Sequence, residues 1–175
     1  DNPLESMGQH ERQAWFGCAC CPGNVTRFIA SVPGYMYAVK DNKLFVNMYS
    51  QSTATVELQK NKIELIQMSQ YPWDGKITIK VNPAKSGKMA LKLRIPGWAG
   101  NKPVPTDLYS YSDTQNTAIQ ILLNGKPVKH STENGYATIE RKWKKGDKIE
   151  MELPMPVRRV IAHKNVADNI GKMSI

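Results

Sequence analysis

Between Tyr35 and Leu153 apolar and polar residues alternate in short runs, one after another, with turn residues between them. In a strand successive side chains point to opposite faces, so each run presents one apolar face and one wet face. Ile77, Ile79 and Val81 alternate with Lys76, Thr78 and Lys80, and Met89, Leu91, Leu93 and Ile95 alternate with Ala90, Lys92 and Arg94. Ile149, Met151 and Leu153 stand against Lys148, Glu150 and Glu152. Leu44 to Tyr49, Ala54 to Leu58, Ile63 to Met68, Ile119 to Leu123 and Tyr136 to Arg141 add further strands, with Asn124-Gly125 as a hairpin turn and Pro96-Gly97 as a stop. Half-buried strands in this number hide their apolar faces by closing on one another. The expected fold is therefore mainly β, an antiparallel, jelly-roll-like β-sandwich.

The segment before Val39 has a different texture. Val25, Phe28, Ile29 and Val32 fall at helical spacing, Asn24 is suited to cap such a helix, and Pro33-Gly34 ends it. The segment 97–115, rich in Gly, Pro, Ser, Asp and Tyr, has no period and reads as a surface excursion between strands. The sequence starts at Asp1 without Met or a signal peptide and stops at Ile175 within an apolar segment, which leads us to expect a piece of something longer.

With 41% hydrophobic and 22% charged residues, the chain is neither disordered nor collagen-like, and its apolar runs are too short for a bilayer span. We expect no membrane partner. Lys and Arg number 24 against 15 Asp and Glu. This excess is mostly spread out, and the one cluster, Arg141, Lys142, Lys144, Lys145 and Lys148 around Trp143, reads as a solvated hairpin tip rather than a nucleic-acid patch.

The three cysteines, Cys18, Cys20 and Cys21, lie within four positions and cannot staple distant parts of the chain. Placed where a helix starts, they stand in the positive field of its unpaired N–H groups, which favours an anion and suits a nucleophile or a soft metal ligand. Three sulfurs from one short loop rarely complete a zinc tetrahedron, so further ligands would come from outside this chain. The plain alternative is that they are small packing residues. Glu5 and Glu11 are near enough in sequence to reach a site there, whereas Glu140, Glu150 and Glu152 belong to solvated strand faces. His10, His130 and His163 are scattered and read as surface or hydrogen-bonded residues.

Asn2-Pro3-Leu4-Glu5, Arg12, Trp15-Phe16 and Cys20-Cys21-Pro22-Gly23-Asn24 with Arg27 resemble the β-L-arabinofuranosidases of glycoside hydrolase family 127, first catalogued as a domain of unknown function. Tyr35, Tyr37, Leu44-Phe45-Val46-Asn47 and the late segment Gly146-Asp147 to Arg159 extend the resemblance to the whole chain. It implies a large (α/α)6 barrel, of which residues 1–39 would be the end, then a β-sandwich over 40–157 and the start of a following segment at 158–175. It also implies a retaining hydrolase acting on L-arabinofuranosyl units of plant-type glycans, in a periplasm or outside the cell. Cys20 would be nucleophile and zinc ligand and Cys21 a second zinc ligand. A Glu and a Cys that complete the zinc shell, and the general acid/base Glu, would lie upstream in the barrel. Gly23 stands where the family usually has a second Pro, and Cys18 has no counterpart role.

A second expectation comes from the sandwich alone: a non-catalytic carbohydrate-binding or structural module, with Trp73, Trp98, Tyr109 or Tyr111 as stacking platforms.

Overall fold

The computed structural model describes residues 20–115 and 118–175. The chain divides between Gly34 and Tyr35 into two compact units. The first holds α1 (Cys20–Ser31), which runs into a 3-10 turn at Val32–Tyr35. Pro22 lies in the first turn of α1, where a missing N–H costs no helical hydrogen bond, so the helix starts earlier than Asn24. Asn24 is thus not the cap expected from sequence. It sits inside the helix, its Oδ1 accepting from Arg27 one turn on, while Thr26 Oγ1 donates to Pro22 O at 2.8 Å. The apolar stripe Val25, Phe28 and Ile29 is exposed.

Among the described residues the second unit contains fourteen strands. In order they are β1 (Tyr37–Lys40), β2 (Lys43–Val46), β3 (Ser52–Leu58), β4 (Asn61–Ser69), β5 (Lys76–Pro83), β6 (Gly87–Arg94) and β7 (Tyr109–Tyr111). There follow β8 (Gln120–Leu123), β9 (Lys126–Pro127), β10 (Ser131–Glu133), β11 (Tyr136–Trp143), β12 (Asp147–Glu152), β13 (Val160–Ala162) and β14 (Met173–Ser174). One sheet has the order β1-β2-β6-β11-β10, the other β3-β4-β5-β12-β8-β9. Leu44, Val46, Leu91, Leu93 and Ile139 from the first sheet meet Ile63, Leu65, Ile77, Ile79 and Ile149 from the second in one buried core. These are the alternate residues of each run, so the period-2 pattern does set the inner faces of a sandwich.

Pairing is antiparallel except for β2 on β6, which run parallel with Leu44 opposite Leu91 and Val46 opposite Leu93. The chain leaves β2, builds β3, β4 and β5 in the facing sheet and returns as β6, a crossover long enough for a parallel neighbour. At β8–β9 the turn forms as expected, with Asn124 and Gly125 both at positive φ, +51° and +78°. Gly75 is required for a different reason: a Cβ there would lie 1.9 Å from Leu153 O, to whose residue its own carbonyl is hydrogen-bonded.

Two expectations are corrected. The basic segment after Trp143 is no hairpin tip, since β11 and β12 pair in different sheets and the turn between them arches across the sandwich. Asp147, buried, ties this arch: its carboxylate accepts from Lys144 N at 2.9 Å and Asn124 Nδ2 at 2.9 Å, and lies 3.7 Å from Arg141. The segment 97–115 is not a plain loop either. It contains a 3-10 turn at Gly97–Gly100 and β7, which joins β13 and β14 in a third sheet.

Candidate functional site

Cys20 and Cys21 are the first two described residues of α1, both exposed, with their sulfurs in hydrogen-bond contact at 3.8 Å and not joined by a disulfide. Pro22, next to them, has a ring that fixes a helical φ in this part of α1. Two thiolates on one zinc ion, each at ~2.3 Å and a near-tetrahedral angle, stand about 3.8 Å apart, so the pair fits one edge of such a site. Among the described residues no group of three or more His, Cys, Asp and Glu side chains could hold a metal. Cys18, Glu5, Glu11 and His10 lie outside the described residues.

The remaining candidates fall into place individually. Glu140 pairs with Lys88 at 3.0 Å and Glu150 with Lys148 at 2.9 Å, on wet strand faces as expected. Among the described residues His130 and His163 hydrogen-bond to nearby backbone, at Val128 O and Asn165 N. Trp73 is 91% exposed. Tyr111 is covered by the Arg158 guanidinium, 3.6 Å from its ring centre, and Tyr109 accepts a hydrogen bond from Asn169. Of the four aromatics named from sequence, Trp98 lines a cavity.

That cavity is a cleft of about 850 Å³ at one end of the sandwich, within the range of small-ligand sites. Its walls come from the connections 47–50, 71–72, 94–98, 102–105 and 134–136, and include Tyr49, Tyr71, Trp98 and Tyr136. Each wall is fixed by a specific contact. Buried Gln67 donates from Nε2 to Met48 O at 3.1 Å and Ser50 O at 3.0 Å. Tyr49 donates its hydroxyl to Arg94 O at 2.6 Å, and Tyr136 donates to Asn47 Oδ1 at 2.8 Å. Burial, with Tyr136 nearby, holds the Tyr49 hydroxyl far above the usual tyrosine range, so it stays a donor. Behind the outer wall, Arg158 binds Asn101 Oδ1 at 2.8 Å, Asp113 Oδ1 at 3.2 Å and Asp113 O at 2.6 Å. Hydrogen bonds from Gln115 and Arg158 hold the Asp113 carboxyl below its ordinary range.

Residues 43–155, spanning β2 to just past β12, match the β-L-arabinofuranosidase, GH127 middle domain. The chain belongs to glycoside hydrolase family 127. A GH127 β-arabinofuranosidase structure superposes with a TM-score of 0.87 at 45% identity, over 94% of this chain and 26% of that one. A GH127 β-L-arabinofuranosidase from Geobacillus stearothermophilus T6 gives 0.78 at 34% identity, over 97% and 25%. A non-reducing end β-L-arabinofuranosidase of Bifidobacterium longum is 33% identical over the whole chain and 24% of its own length. This GH127 chain therefore spans about a quarter of the relatives it matches.

Sequence reasoning missed Gln67, Asn47 and Arg158, which shape the cleft. A glutamine at a core position of a strand, among Ile63, Leu65 and Ile79, is the one signal that was readable, because a polar group there must find partners. Asn47 and Arg158 form contacts across long sequence separations and carry no local signature.

Proposed function

We propose that the protein to which this chain belongs is a retaining glycosidase that releases L-arabinofuranosyl units from plant-type glycans, with Cys20 as nucleophile. The observation that carries this reading is the Cys20–Cys21 pair at the opening turn of α1, its 3.8 Å sulfur separation suited to shared metal binding. The relatives' names supply the sugar. The segment up to Gly34 would then be the end of a catalytic helical barrel, with β1 onward in the sandwich. Cys20 and Cys21 would hold zinc, together with two donors from outside the described residues, and the ion would keep the sulfurs deprotonated at neutral pH.

In the first half of the reaction Cys20 Sγ bonds to the anomeric carbon as the bond to the leaving oxygen breaks, and a carboxylic acid elsewhere in the protein protonates that oxygen. In the second half the resulting carboxylate takes a proton from water. The water oxygen bonds to the anomeric carbon, the C–S bond breaks and Sγ leaves as thiolate. Two inversions give net retention. The chain by itself, without that carboxylate and half the metal donors, is inactive and binds zinc weakly.

The test compares the intact parent protein with its Cys20→Ala variant on an aryl β-L-arabinofuranoside, with mass spectrometry of the trapped enzyme. We expect at least a ~10³-fold loss of kcat and a pentosyl adduct on Cys20 in the unsubstituted protein. Undiminished turnover in Cys20→Ala would remove the nucleophile from this residue.

A further inference from the structure

We propose that the cleft at the end of the sandwich is a second, non-catalytic saccharide site, and that it takes a sugar unit bearing a carboxylate. Its lining combines two features rarely met by chance on one surface. Tyr71, Trp98 and Tyr136, all partly exposed, with four prolines among the neighbours and Tyr49 itself buried, give it the flat, weakly hydrated walls on which the C–H face of a sugar ring packs. Arg94 and Lys102 also line it, no Asp or Glu does, and among the described residues neither cation has an ion-pair partner.

Both cations belong to elements held in place before any ligand arrives. Arg94 ends β6 opposite Tyr136 of β11, and its carbonyl is bound by the Tyr49 hydroxyl. Lys102 is anchored through its own N–H to Gly97 O at 2.9 Å, next to the Arg158 contact with Asn101. A planar guanidinium is suited to paired hydrogen bonds with a carboxylate, and Lys102 adds a second charge without a fixed geometry. Asn134 also lines it, within the class of side chains that bind ring hydroxyls, while the Asn47 amide is held by Tyr136 and Tyr35 O. A neutral sugar would leave both cations without a counter-charge, so a uronic acid unit fits the charge of the cleft better than a neutral pentose.

The choice of a saccharide rests on the glycosidase reading above; the test keeps the two apart. The intact parent protein, carrying Cys20→Ala so that no hydrolysis intervenes, is titrated calorimetrically with a uronic acid trisaccharide and with the same trisaccharide after reduction of its carboxylates to alcohols. We expect binding of the acid form, about tenfold or more weaker binding of the reduced form, and a similar loss for the acid form in Arg94→Gln. Trp98→Ala should weaken both forms. Turnover of a small aryl arabinofuranoside, measured with Cys20 present, should be unchanged by Arg94→Gln, so loss of arabinofuranosidase activity and loss of this site are separate results. No binding of the acid form, equal binding of both forms, or unchanged affinity in Arg94→Gln overturns the proposal. So does a large drop in thermal stability of the intact protein in Arg94→Gln with affinity unchanged, which would make the cleft a packing surface for another domain.

Discussion

At one end of the sandwich the turns 41–42, 59–60, 84–86 and 144–146 gather around Trp143; at the other, the connections 48–50, 71–74, 95–105 and 134–135 surround the aromatic cleft. The same strands run between them. The first end is plugged: Trp143 is fully buried, donates Nε1–H to Met89 O at 3.1 Å, and stands beside a smaller recess of about 230 Å³. Lys88 lines it, and Lys43, Lys60, Lys85, Lys144 and Lys145 stand in or next to the turns at this end. The second end is open: Tyr49 is buried, but Tyr71, Trp98 and Tyr136 are only partly so and line a concavity instead of filling it. A tryptophan used as a plug stabilises the fold and exposes nothing, whereas aromatics held at a rim by backbone contacts are available to a ligand. Aromatic content alone does not separate these uses; the geometry of the connection does.

The largest effect should come from removing the plug. Trp143→Ala deletes a fully buried side chain at the junction of both sheets and orphans Met89 O, so we expect a loss of about 3–5 kcal/mol in urea unfolding. A loss below about 1 kcal/mol would mean that the closed end is as adaptable as the open one, and the contrast would fail.

At the cleft end the corresponding element is a polar clamp. Arg158→Ala removes the hydrogen bonds to Asn101 and Asp113 and the cover of Tyr111, with an expected cost of about 1.5–3 kcal/mol. Amide hydrogen exchange should rise in 97–115 more than in β4 or β5. The clamp also carries a pH dependence of definite sign. Asp113 titrates lower in the folded chain than its ordinary 3.8, so its contribution is complete above that pH and is lost as pH falls through the lowered folded value. Exchange in 97–115 should therefore be unchanged by pH, after correction for intrinsic rates, above about 5 and should rise below 3.8 in the unsubstituted chain, and less so in Arg158→Ala, where the Gln115 hydrogen bond to Asp113 remains. Equal acid sensitivity in both would remove Asp113 from the clamp.

These contrasts also explain what could be read beforehand. The inner faces were legible because burial forces period 2 on β4, β5, β6 and β12, and Asn124-Gly125 named its own turn. The parallel β2–β6 pair was not, since pairing direction depends on which sheet the intervening strands join. β7 was invisible because three residues have no period and its partner β13 lies some fifty positions away. The cysteine pair stood out through residue type and spacing alone. The cleft did not, because Gln67, Asn47 and Arg158 act through contacts that local sequence does not encode, and Trp143 and Trp98 look alike until one is enclosed and the other is not.

The smallest expected effect tests whether the charge at the closed end is a structural burden. Lys142 on β11 stands in register with Lys88 on β6, two like charges directly opposed, and Lys88 is relieved only by Glu140 at 3.0 Å. Opposed like charges destabilise a strand pair, and an opposite-charge pair favours it by about 0.2–1 kcal/mol. Lys142→Glu should therefore stabilise the chain by a few tenths of a kcal/mol at ~0.02 M salt, and the gain should shrink at ~0.5 M, where the screening length falls below the pair's reach. A gain that survives high salt would point to packing against Arg141 and the strand face instead of charge. No gain at low salt would mean that Glu140 already neutralises Lys88, so the lysines at this end exact no energetic cost from the fold. In that case the closed end owes its form to Trp143 and the hydrogen-bonded turns alone, and the difference between the two ends is one of shape before it is one of charge.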